Sequence, residues 1–519
     1  MLKATRVTIY ALCLLGATIP SRAQPEANLQ VRTIDRVVHI NPPGPNDSRY
    51  AYVPFDVPQN AARIKVSYRY DRATDTNTID IGLFDSRFSG SDTDPRGFRG
   101  WSGGRRSEFF VSREEATPGY LRGELPAGKW RVILGLYRVG PAGVDISLKI
   151  EIETRTGSPK SASVSSGASE GATGASAPAL VENQALRPAP VDRKSAGPGR
   201  RWWRGDLHMH TVHSDGNWTI AGLISSARSS GLDFIAIVDH NTASHHEEIN
   251  RLSKGSRQLL VMRGEEITTY GGHTNAWGLP SGTWIDFRTH PGDSSRISEI
   301  AHNAHRAGAL ISINHPFALC GGCGWSYDAT ARDFDAIEVW NGSWDFTDEP
   351  AVKMWDQILQ SGRRITAIAS TDSHRPDTPL GKPSTHVAAK TLTQPAVLAA
   401  IRDGHVYLTD GTPGLAVRFA AALTTGRPGM RWMIGDEIRL KGPGKIRFFI
   451  TVENAPAGSR VSLISKGEVI RTFPIGTGGQ PQEVEVECGE ASYFRLEVRD
   501  RKNTMIGMTN AIYVRLHRR

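Results

Sequence analysis

The stretch Asp206-Leu-His-Met-His210 ends a predicted β-strand, and Ser214-Asp215-Gly216 follows it after three residues. His208 and His210 are two positions apart, so on a strand both imidazoles project from the same face. Two imidazoles on one face can bind the same metal ion. This stretch therefore predicts a strand end that carries metal ligands.

Short apolar strands alternate with helical stretches after this motif. The predicted strands lie at residues 234–238, 259–262, 309–313, 336–339 and 365–369. Helices with apolar residues at helical spacing are predicted between them, ending at Gly231 and Gly308. Alternating strands and helices form a parallel sheet, and this number of repeats favours a barrel over a small open sheet.

Residues with metal-ligating side chains follow four of these five strands. They are Asp239-His240-Asn241, Gly264-Glu265-Glu266 with His273 soon after, Asn314-His315-Pro316 and Thr371-Asp372-Ser373-His374. The carboxyl ends of barrel strands meet at one mouth, so these side chains are expected to converge. A single buried histidine is usually a satisfied core group, and an aspartate after a strand is usually a helix cap. Their joint occurrence at five strand ends, counting the one with His208 and His210, instead predicts a multinuclear metal site.

These motifs resemble a known family. The stretch 206–216, Val238-Asp-His-Asn241, Asn314-His-Pro316 and Ser370-Thr-Asp-Ser-His374 are similar, in order, to the four motifs of the polymerase and histidinol phosphatase (PHP) superfamily. The stretches 264–269 and 272–278 resemble more narrowly its carbaryl-hydrolase-like (CehA/McbA-type) metallohydrolase branch. The resemblance covers residues 201–412 and neither flanking region.

The resemblance implies a TIM-like, distorted (β/α)7 barrel that holds two or three divalent ions. The implied ligands are His208, His210, Glu266 and Asp372 for one ion, His273 and His315 with Glu266 as a bridge for a second, and Asp215, His240 and His374 for a third. The spacing to Ile267-Thr268 favours Glu266 over Glu265, which is expected to point away from the metals. The segment from Cys320 to Trp325 has no counterpart in the family pattern, and a lid is one interpretation of it.

This ligand set suits hydrolysis. Two ions about 3.5–4 Å apart can hold a bridging hydroxide and neutralise charge on the attacked group. Mixed imidazole and carboxylate ligation fits Zn, Mn or Fe without choosing among them. Glu266 and Asp372 are the carboxylates expected in the catalytic centre, while Arg375 either meets an anionic substrate or is a surface arginine.

Neighbouring residues receive weaker interpretations. Asp239 and Asn314 flank ligands and are expected to orient imidazoles. His245 and His246 either face the mouth of the barrel or begin a solvated helix, and the helix is favoured.

The regions outside 201–412 have a different pattern. Val144, Ile146, Leu148, Ile150 and Ile152 alternate with polar residues, which predicts a half-buried strand in a jelly-roll-like sandwich over residues 24–156. Similar alternation predicts an immunoglobulin-like sandwich over residues 413–519. Residues 157–200 are rich in Ser, Ala, Gly and Pro, which is typical of a disordered linker. Both sandwiches are expected to be accessory modules that contact glycans or the cell envelope.

The first 23 residues have the layout of a secretory signal peptide. Lys3 and Arg6 precede an apolar run over residues 7–19, and Ser21-Arg22-Ala23 offers small residues at the usual cleavage positions. An uncleaved anchor is the alternative, but the run is shorter than the roughly 20 residues that a span needs, and Pro20 interrupts it. Residues 1–23 therefore predict a periplasmic or secreted protein, and no later segment looks able to cross a membrane.

Composition and cysteines narrow the possibilities further. A net charge of +9 over 519 residues is a weak field, and no basic stripe with interleaved aromatics is present, so nucleic-acid binding is not expected. Cys320-Gly-Gly-Cys323 is a close pair, which in an oxidising compartment forms a local disulfide. The pair is also half of a zinc site, but no second half follows at zinc spacing.

The sequence thus predicts an exported metallohydrolase that acts on a small-molecule ester, with a phosphomonoester or phosphodiester favoured. Hydrolysis of a carboxylic ester or a carbamate on the same metal site is the alternative within enzymes. A non-catalytic envelope- or glycan-binding protein is the alternative outside them, although retention of all nine ligand residues argues against a decayed site.

Overall fold

The structure is a computed structural model that describes residues 29–72, 76–156, 195–197, 199–255, 258–328, 332–425, 429–476 and 479–516. The predicted signal peptide and most of the predicted linker lie outside the described residues. The last part of that linker contains a strand, β9 (Ser195–Gly197), which pairs with the strand that follows it. Among the described residues, every helix is too short or too polar to span a membrane.

The N-terminal module has eight antiparallel strands. They are β1 (Leu29–Ile40), β2 (Tyr50–Val57), β3 (Ala61–Arg69), β4 (Thr78–Phe84), β5 (Phe98–Trp101), β6 (Glu108–Ser112), β7 (Gly128–Arg138) and β8 (Val144–Arg155). They form two sheets, in the orders β1-β8-β3-β6 and β2-β7-β4-β5, which is the strand order of a jelly roll. Strand β8 alternates buried and exposed side chains as the sequence pattern predicted, and its buried face packs into the core between the sheets.

The middle module contains strands and all five described helices. After β9 its elements are β10 (Arg200–Asp206), α1 (Ile220–Ser229), β11 (Phe234–Ile237), α2 (His246–Ser253), β12 (Leu260–Thr269), β13 (Gly272–Trp277), α3 (Ser294–Arg306), β14 (Leu310–Asn314), β15 (Ala336–Asn341), α4 (Asp348–Gln360), β16 (Thr366–Ser370), β17 (Ser384–Ala389), α5 (Gln394–Arg402) and β18 (Val406–Thr409). Helix α1 buries apolar residues at helical spacing, and the Thr219 hydroxyl caps its beginning by accepting from the Gly222 amide.

The sheet of this module is mixed rather than wholly parallel. Its strand order is β16-β15-β14-β13-β12-β11-β10-β17-β18. Strands β10, β11 and β12 are parallel, as are β14, β15 and β16, but the hairpin of β12 and β13 and the strands β17 and β18 add antiparallel pairs. The parallel sheet expected from the sequence is therefore found only in these two groups of three strands. Among the described residues, no ladder of hydrogen bonds closes this sheet into a barrel. A single bridge between Met209 and Ser373 joins the segment after β10 to the segment after β16.

The C-terminal module is built from strands. They are β19 (Ala416–Leu423), β20 (Trp432–Met433), β21 (Glu437–Leu440), β22 (Gly444–Glu453), β23 (Arg460–Ser465), β24 (Glu468–Pro474), β25 (Gln482–Cys488), β26 (Ser492–Arg499), β27 (Met505–Thr509) and β28 (Ile512–Leu516). One sheet has the order β20-β19-β22-β25, and it shares an apolar core with β23, β26 and β28. Strand β27 pairs with β18, so the middle sheet continues into this module.

The N-terminal module packs directly against the middle module. Trp101 and Phe287 from the two modules have ring centroids 4.8 Å apart within one apolar cluster. The buried Arg288 guanidinium donates to the Asp94 carbonyl oxygen at 2.6 Å and to the Tyr52 hydroxyl at 2.8 Å. These contacts place one face of the jelly roll beside the carboxyl ends of the middle strands.

Candidate metal centre

The structure brings the nine predicted ligand residues together at one end of the middle sheet. His208 and His210 follow β10, His240 follows β11, Glu266 lies in β12, His273 begins β13 and His315 follows β14. Asp372 and His374 follow β16, and Asp215 lies in the turn before α1. The convergence of parallel strand ends explains why residues so far apart in sequence meet here.

The Glu266 carboxylate lies at the middle of this cluster and is almost fully buried. Its oxygens are surrounded by imidazole nitrogens, at 3.2 Å for His208, 3.5 Å for His210, 2.8 Å for His240, 3.3 Å for His273 and 3.4 Å for His315. Glu265 faces the other side of β12, where its Oε2 accepts from the Ile285 amide at 2.8 Å. Only Glu266 of this pair therefore lies between the histidines.

Two more carboxylates complete the cluster. Asp372 Oδ1 lies 3.3 Å from His208 Nε2 and 3.0 Å from His210 Nε2. Asp215 Oδ1 lies 3.4 Å from His240 Nε2 and 3.2 Å from His374 Nε2.

These spacings fit bound divalent ions. Metal–nitrogen and metal–oxygen bonds of about 2.0–2.2 Å place two ligands of the same ion roughly 3–3.5 Å apart. Despite these short contacts, several buried ligand atoms of the cluster have no hydrogen bond of good geometry among the described residues, which is costly unless an ion or water meets them. These atoms are His208 Nε2, His210 Nδ1 and Nε2, Asp215 Oδ1, Glu266 Oε2, His273 Nδ1, His315 Nδ1 and Asp372 Oδ1.

Several sets of potential ligand atoms lie within 4.8 Å of one another. These sets share members with the three ligand sets that the family resemblance implies, but they are not the same. They are His210, Asp215, His240 and His374; His208, His210 and Glu266; His208, His315 and Asp372; His240, Glu266 and His273; and His273, His315 and Cys323. His210 thus lies near two of the implied ion positions. Cys323 enters a group that sequence reasoning had not considered.

Charge within the cluster keeps its carboxylates ionised. Burial by itself raises the pKa of Glu266, but the His208, His240 and His273 imidazoles hold that pKa well below its ordinary value. The same balance between burial and neighbouring imidazoles lowers the pKa of Asp372 well below its ordinary value. Burial, reinforced by the charges of two neighbouring imidazoles, lowers the pKa of His210 to about 4, which favours the neutral form that binds metals.

Glu338 is a site residue that the sequence reasoning missed. Its carboxylate is fully buried, and its Oε1 lies 3.2 Å from His208 Nδ1, the nitrogen opposite Nε2, which faces Glu266 and Asp372. It also accepts from the Asn341 amide at 3.0 Å. A carboxylate behind a metal-binding imidazole sets its tautomer and its orientation. The available signal was a charged residue inside the otherwise apolar strand at residues 336–339.

The two residues expected to orient imidazoles do something else. Asp239 accepts from the Thr211 amide at 2.7 Å and from the Ser214 hydroxyl at 2.6 Å, so it holds the turn between His210 and Asp215. Asn314 donates to Glu266 Oε1 at 2.9 Å, so it positions a carboxylate.

The interpretation of His245 and His246 as solvated is wrong. Both side chains are buried, and each Nε2 lies 3.0 Å from the Gly264 carbonyl oxygen. Burial lowers the pKa of His245 to about 4, so the ring is neutral and donates to that carbonyl. This pair holds β12 just before Glu265 and Glu266.

Backbone conformation also aims the ligands. His315 and Asp372 have positive φ angles of 27° and 50°, and Asn241, next to His240, has a φ of 51°. Non-glycine residues in this region store roughly 1–3 kcal/mol each, and such residues gather at functional sites. His315 and Asp372 are themselves candidate ligands, and Asn241 is next to one. Backbone strain at these three positions is expected where the placement of the side chains matters for function.

The cluster lies in a cavity of about 700 Å³. Arg375 lines it from the side of His374, and its side chain is exposed there. The opposite wall comes from the N-terminal module through Asp80, Trp101, Arg105 and Tyr137, among others. A module expected to be accessory therefore contributes part of the cavity surface.

The predicted disulfide between Cys320 and Cys323 is present, and Cys488 is a buried free cysteine. Both bridged cysteines line the cavity. The Tyr137 hydroxyl of the N-terminal module donates to the Cys320 carbonyl oxygen at 2.9 Å, which ties this segment to the opposite wall.

Comparison with known proteins adds the following. No protein-family model and no curated protein matches the sequence. Among solved structures, the chain is similar to a two-domain Bacteroides vulgatus protein described as containing a predicted PHP-like metal-dependent phosphoesterase, with 17% identity, 63% of this chain and 100% of that chain covered, and a TM-score of 0.37. A Bifidobacterium adolescentis protein described as a candidate metal-dependent phosphoesterase shares 19% identity over 34% of this chain and 90% of its own, with a TM-score of 0.27.

An amidohydrolase from Chromobacterium violaceum shares 16% identity over 34% of this chain and 89% of its own, with a TM-score of 0.26. Two of these three proteins are thus described as metal-dependent phosphoesterases and the third as an amidohydrolase.

Proposed function

We propose that this protein is a metal-dependent phosphoesterase. The observation that carries the proposal is the set of nine convergent imidazole and carboxylate side chains, with buried donor atoms that lack partners in the described structure, at the floor of a 700 Å³ cavity. When bound there, two divalent ions supply a nucleophile from water and neutralise charge on the attacked group. Zn, Mn and Fe all suit this ligand chemistry.

The residues of the chain have distinct tasks in this proposal. Glu266, between five imidazoles, would hold the ions together with Asp372, which adds a second negative charge. Glu338 holds the His208 ring with Nε2 toward the metals. Arg375 at the cavity wall provides a guanidinium for a phosphate oxygen, for which its planar donors are well suited.

We also propose how the chain is divided into modules. We assign residues 201–412 to a distorted (β/α)7 barrel of PHP type, with sandwich modules at 24–156 and 413–519 and a linker at 157–200. The bridge of Met209 to Ser373 and the bond from the Thr385 hydroxyl to the Ala369 carbonyl, at 2.7 Å, support closure of the curved sheet. The Cys320–Cys323 disulfide supports export to an oxidising compartment.

A substrate panel tests the proposal. Metal-free protein is reconstituted separately with Zn²⁺, Mn²⁺ and Fe²⁺ and assayed with an aryl phosphomonoester, a bis-aryl phosphodiester, a neutral aryl ester and an aryl carbamate. We expect turnover of at least one phosphate ester and competitive inhibition by inorganic phosphate. Turnover of only the neutral ester or the carbamate would replace the proposal with that chemistry, and no turnover with any metal would favour a binding protein.

A further inference from the structure

The cavity contains one group of potential ligand atoms that includes a sulfur. The ligand atoms of His273, His315 and Cys323 all lie within 4.8 Å of one another. Cys323 is only 5% exposed, and its sulfur is bonded to that of Cys320, which is exposed. His273 Nδ1 and His315 Nδ1 are buried without a hydrogen-bond partner in the described structure. His273 Nδ1 does lie 3.3 Å from the Glu266 carboxylate, but without the geometry of a hydrogen bond. Two imidazoles, each with a nitrogen that lacks a well-directed hydrogen bond, therefore lie next to a sulfur whose bonding depends on redox state.

The backbone explains why this sulfur returns to the site. The Ala318 amide donates to the His315 carbonyl oxygen and the Trp325 amide to that of Pro316, each at 2.9 Å, so the intervening segment forms a loop closed at its base. The Ser326 amide donates to the Gly271 carbonyl oxygen at 2.8 Å, and this hydrogen bond connects the loop to the turn before His273. The loop is thus held near both histidines whether or not the disulfide is formed.

We propose that Cys323 is a latent metal ligand, withheld by the Cys320–Cys323 disulfide and released to the His273–His315 position on reduction. A disulfide sulfur is uncharged and a poor ligand, whereas a thiolate is a strong one with a bond to zinc of about 2.3 Å. Reduction therefore adds a sulfur ligand to the imidazole nitrogens of this position. Such a position prefers Zn²⁺ or Co²⁺ over Mn²⁺.

The redox step balances with a dithiol as reductant. The dithiol gives two electrons and two protons to the sulfur–sulfur bond, becomes a disulfide itself, and leaves thiols on Cys320 and Cys323. On metal binding the Cys323 thiol passes its proton to solvent. The inference rests on the proposed metal centre but not on the proposed reaction.

Cobalt spectroscopy tests this inference without an activity assay. Full-length protein is loaded with Co²⁺ in the oxidised form and after reduction by a phosphine, which avoids the cobalt–thiolate bands of a dithiol. We expect a near-ultraviolet thiolate-to-cobalt charge-transfer band only after reduction. Zinc affinity at this position should rise by at least about tenfold. Losing a residue that only supports a ligand already changes metal affinity by about 10–100-fold, and gaining a ligand should change it at least as much.

Two single variants form a matched pair. Cys320→Ser leaves the Cys323 thiol free, so it should show the band without reductant, whereas Cys323→Ser should not show it in any state. Cys488→Ser, in the C-terminal core, should behave like the wild type. The visible d–d bands of cobalt report the remaining ligands and show whether each variant still folds and binds metal.

The outcomes separate the two proposals. Cobalt binding with d–d bands but no charge-transfer band in either reduced wild type or Cys320→Ser would overturn the latent-ligand inference and leave the metal centre standing. Failure of cobalt to bind to any form would overturn both. Normal spectra without turnover of any ester would overturn the phosphoesterase alone.

Discussion

Glu338 Oε1 lies 3.2 Å from His208 Nδ1, and both side chains are fully buried. The other nitrogen of the same ring, Nε2, lies within 3.3 Å of both Glu266 and Asp372. The His208 imidazole therefore connects Glu338, which lies outside the proposed ligand set, with Glu266 and Asp372, which belong to it.

The first prediction follows from this contact. Glu338→Ala should weaken metal binding by about 10–100-fold, because His208 loses the partner that sets its tautomer and ring angle, and Glu338→Gln should weaken it less. Equilibrium competition with a chromophoric chelator measures the change. Glu299→Gln, on the exposed face of α3, is the control, and equal affinity in all forms would show that Glu338 is not a supporting residue.

The second prediction concerns two adjacent glutamates. Glu266→Gln should release metal and abolish turnover, because the amide cannot carry the charge that bridges two ions. Glu265→Gln should keep its metal, since Glu265 faces the other side of β12, where its Oε2 accepts from the Ile285 amide, and burial raises its pKa well above the ordinary value. Elemental analysis after gel filtration measures the metal content. Equal metal loss in both variants would contradict the assignment of Glu266 as the bridge.

A third prediction separates phosphate esters from neutral esters. His240→Ala should lower kcat/KM for a phosphate ester by at least about 10²-fold, the scale of one positioned electrostatic stabiliser. The reason is that His240 belongs to the third ion position, implied for Asp215, His240 and His374 and here called the outer position. Hydrolysis of a neutral aryl ester should depend less on this position. His302→Ala, an exposed histidine on α3, is the control. The same loss for both substrate classes would remove the special role of the outer position in binding phosphate.

The fourth prediction concerns pH and stability. Burial raises the pKa of Asp80 from 3.8 to about 6, although the Tyr270 hydroxyl donates to its carboxylate and His240 is nearby. Because the folded chain holds this proton more tightly than the unfolded chain, the free energy of unfolding contributed by Asp80 falls as pH rises between these two pKa values.

Asp80→Asn should remove that component, on the order of 1–2 kcal/mol once contact with solvent at the cavity wall is allowed for. Urea unfolding of wild type and variant at several pH values measures the difference. Asp56→Asn, an exposed aspartate of the same module, should leave the pH profile unchanged. Parallel profiles for wild type and Asp80→Asn would show that the Asp80 proton is not held more tightly on folding.

The fifth prediction tests the contact between the jelly roll and the site. A Cβ atom at Gly135 would collide with the Tyr270 hydroxyl and the Trp101 ring, both at the cavity wall. Gly135→Ala should therefore cost about 1–3 kcal/mol of stability, as overpacking does elsewhere. Gly442→Ala, where nothing lies within 4 Å, is the matched control in urea unfolding. An unchanged midpoint for Gly135→Ala would show that the wall rearranges freely.

Local patterns made several parts of this protein predictable. Alternation over Val144 to Ile152 identified β8, and helical spacing from Ile220 to Ala227 identified α1, because each pattern reflects which face of one element is buried. The His and carboxylate residues at strand ends predicted a metal site, since parallel strand ends converge in any such sheet, and the resemblance to the PHP superfamily implied its nine members.

Other features depend on which elements become neighbours in space. Glu338 meets His208 across 130 residues, the jelly roll supplies a wall of the cavity, and Cys323 returns beside His273 and His315. The sequence alone determined the periodicity of single elements and the ligand residues at their ends, because those follow from local backbone geometry. Only the tertiary structure decided the β12–β13 hairpin within the sheet, the partners of each imidazole and the surroundings of the disulfide, because these follow from packing among distant segments.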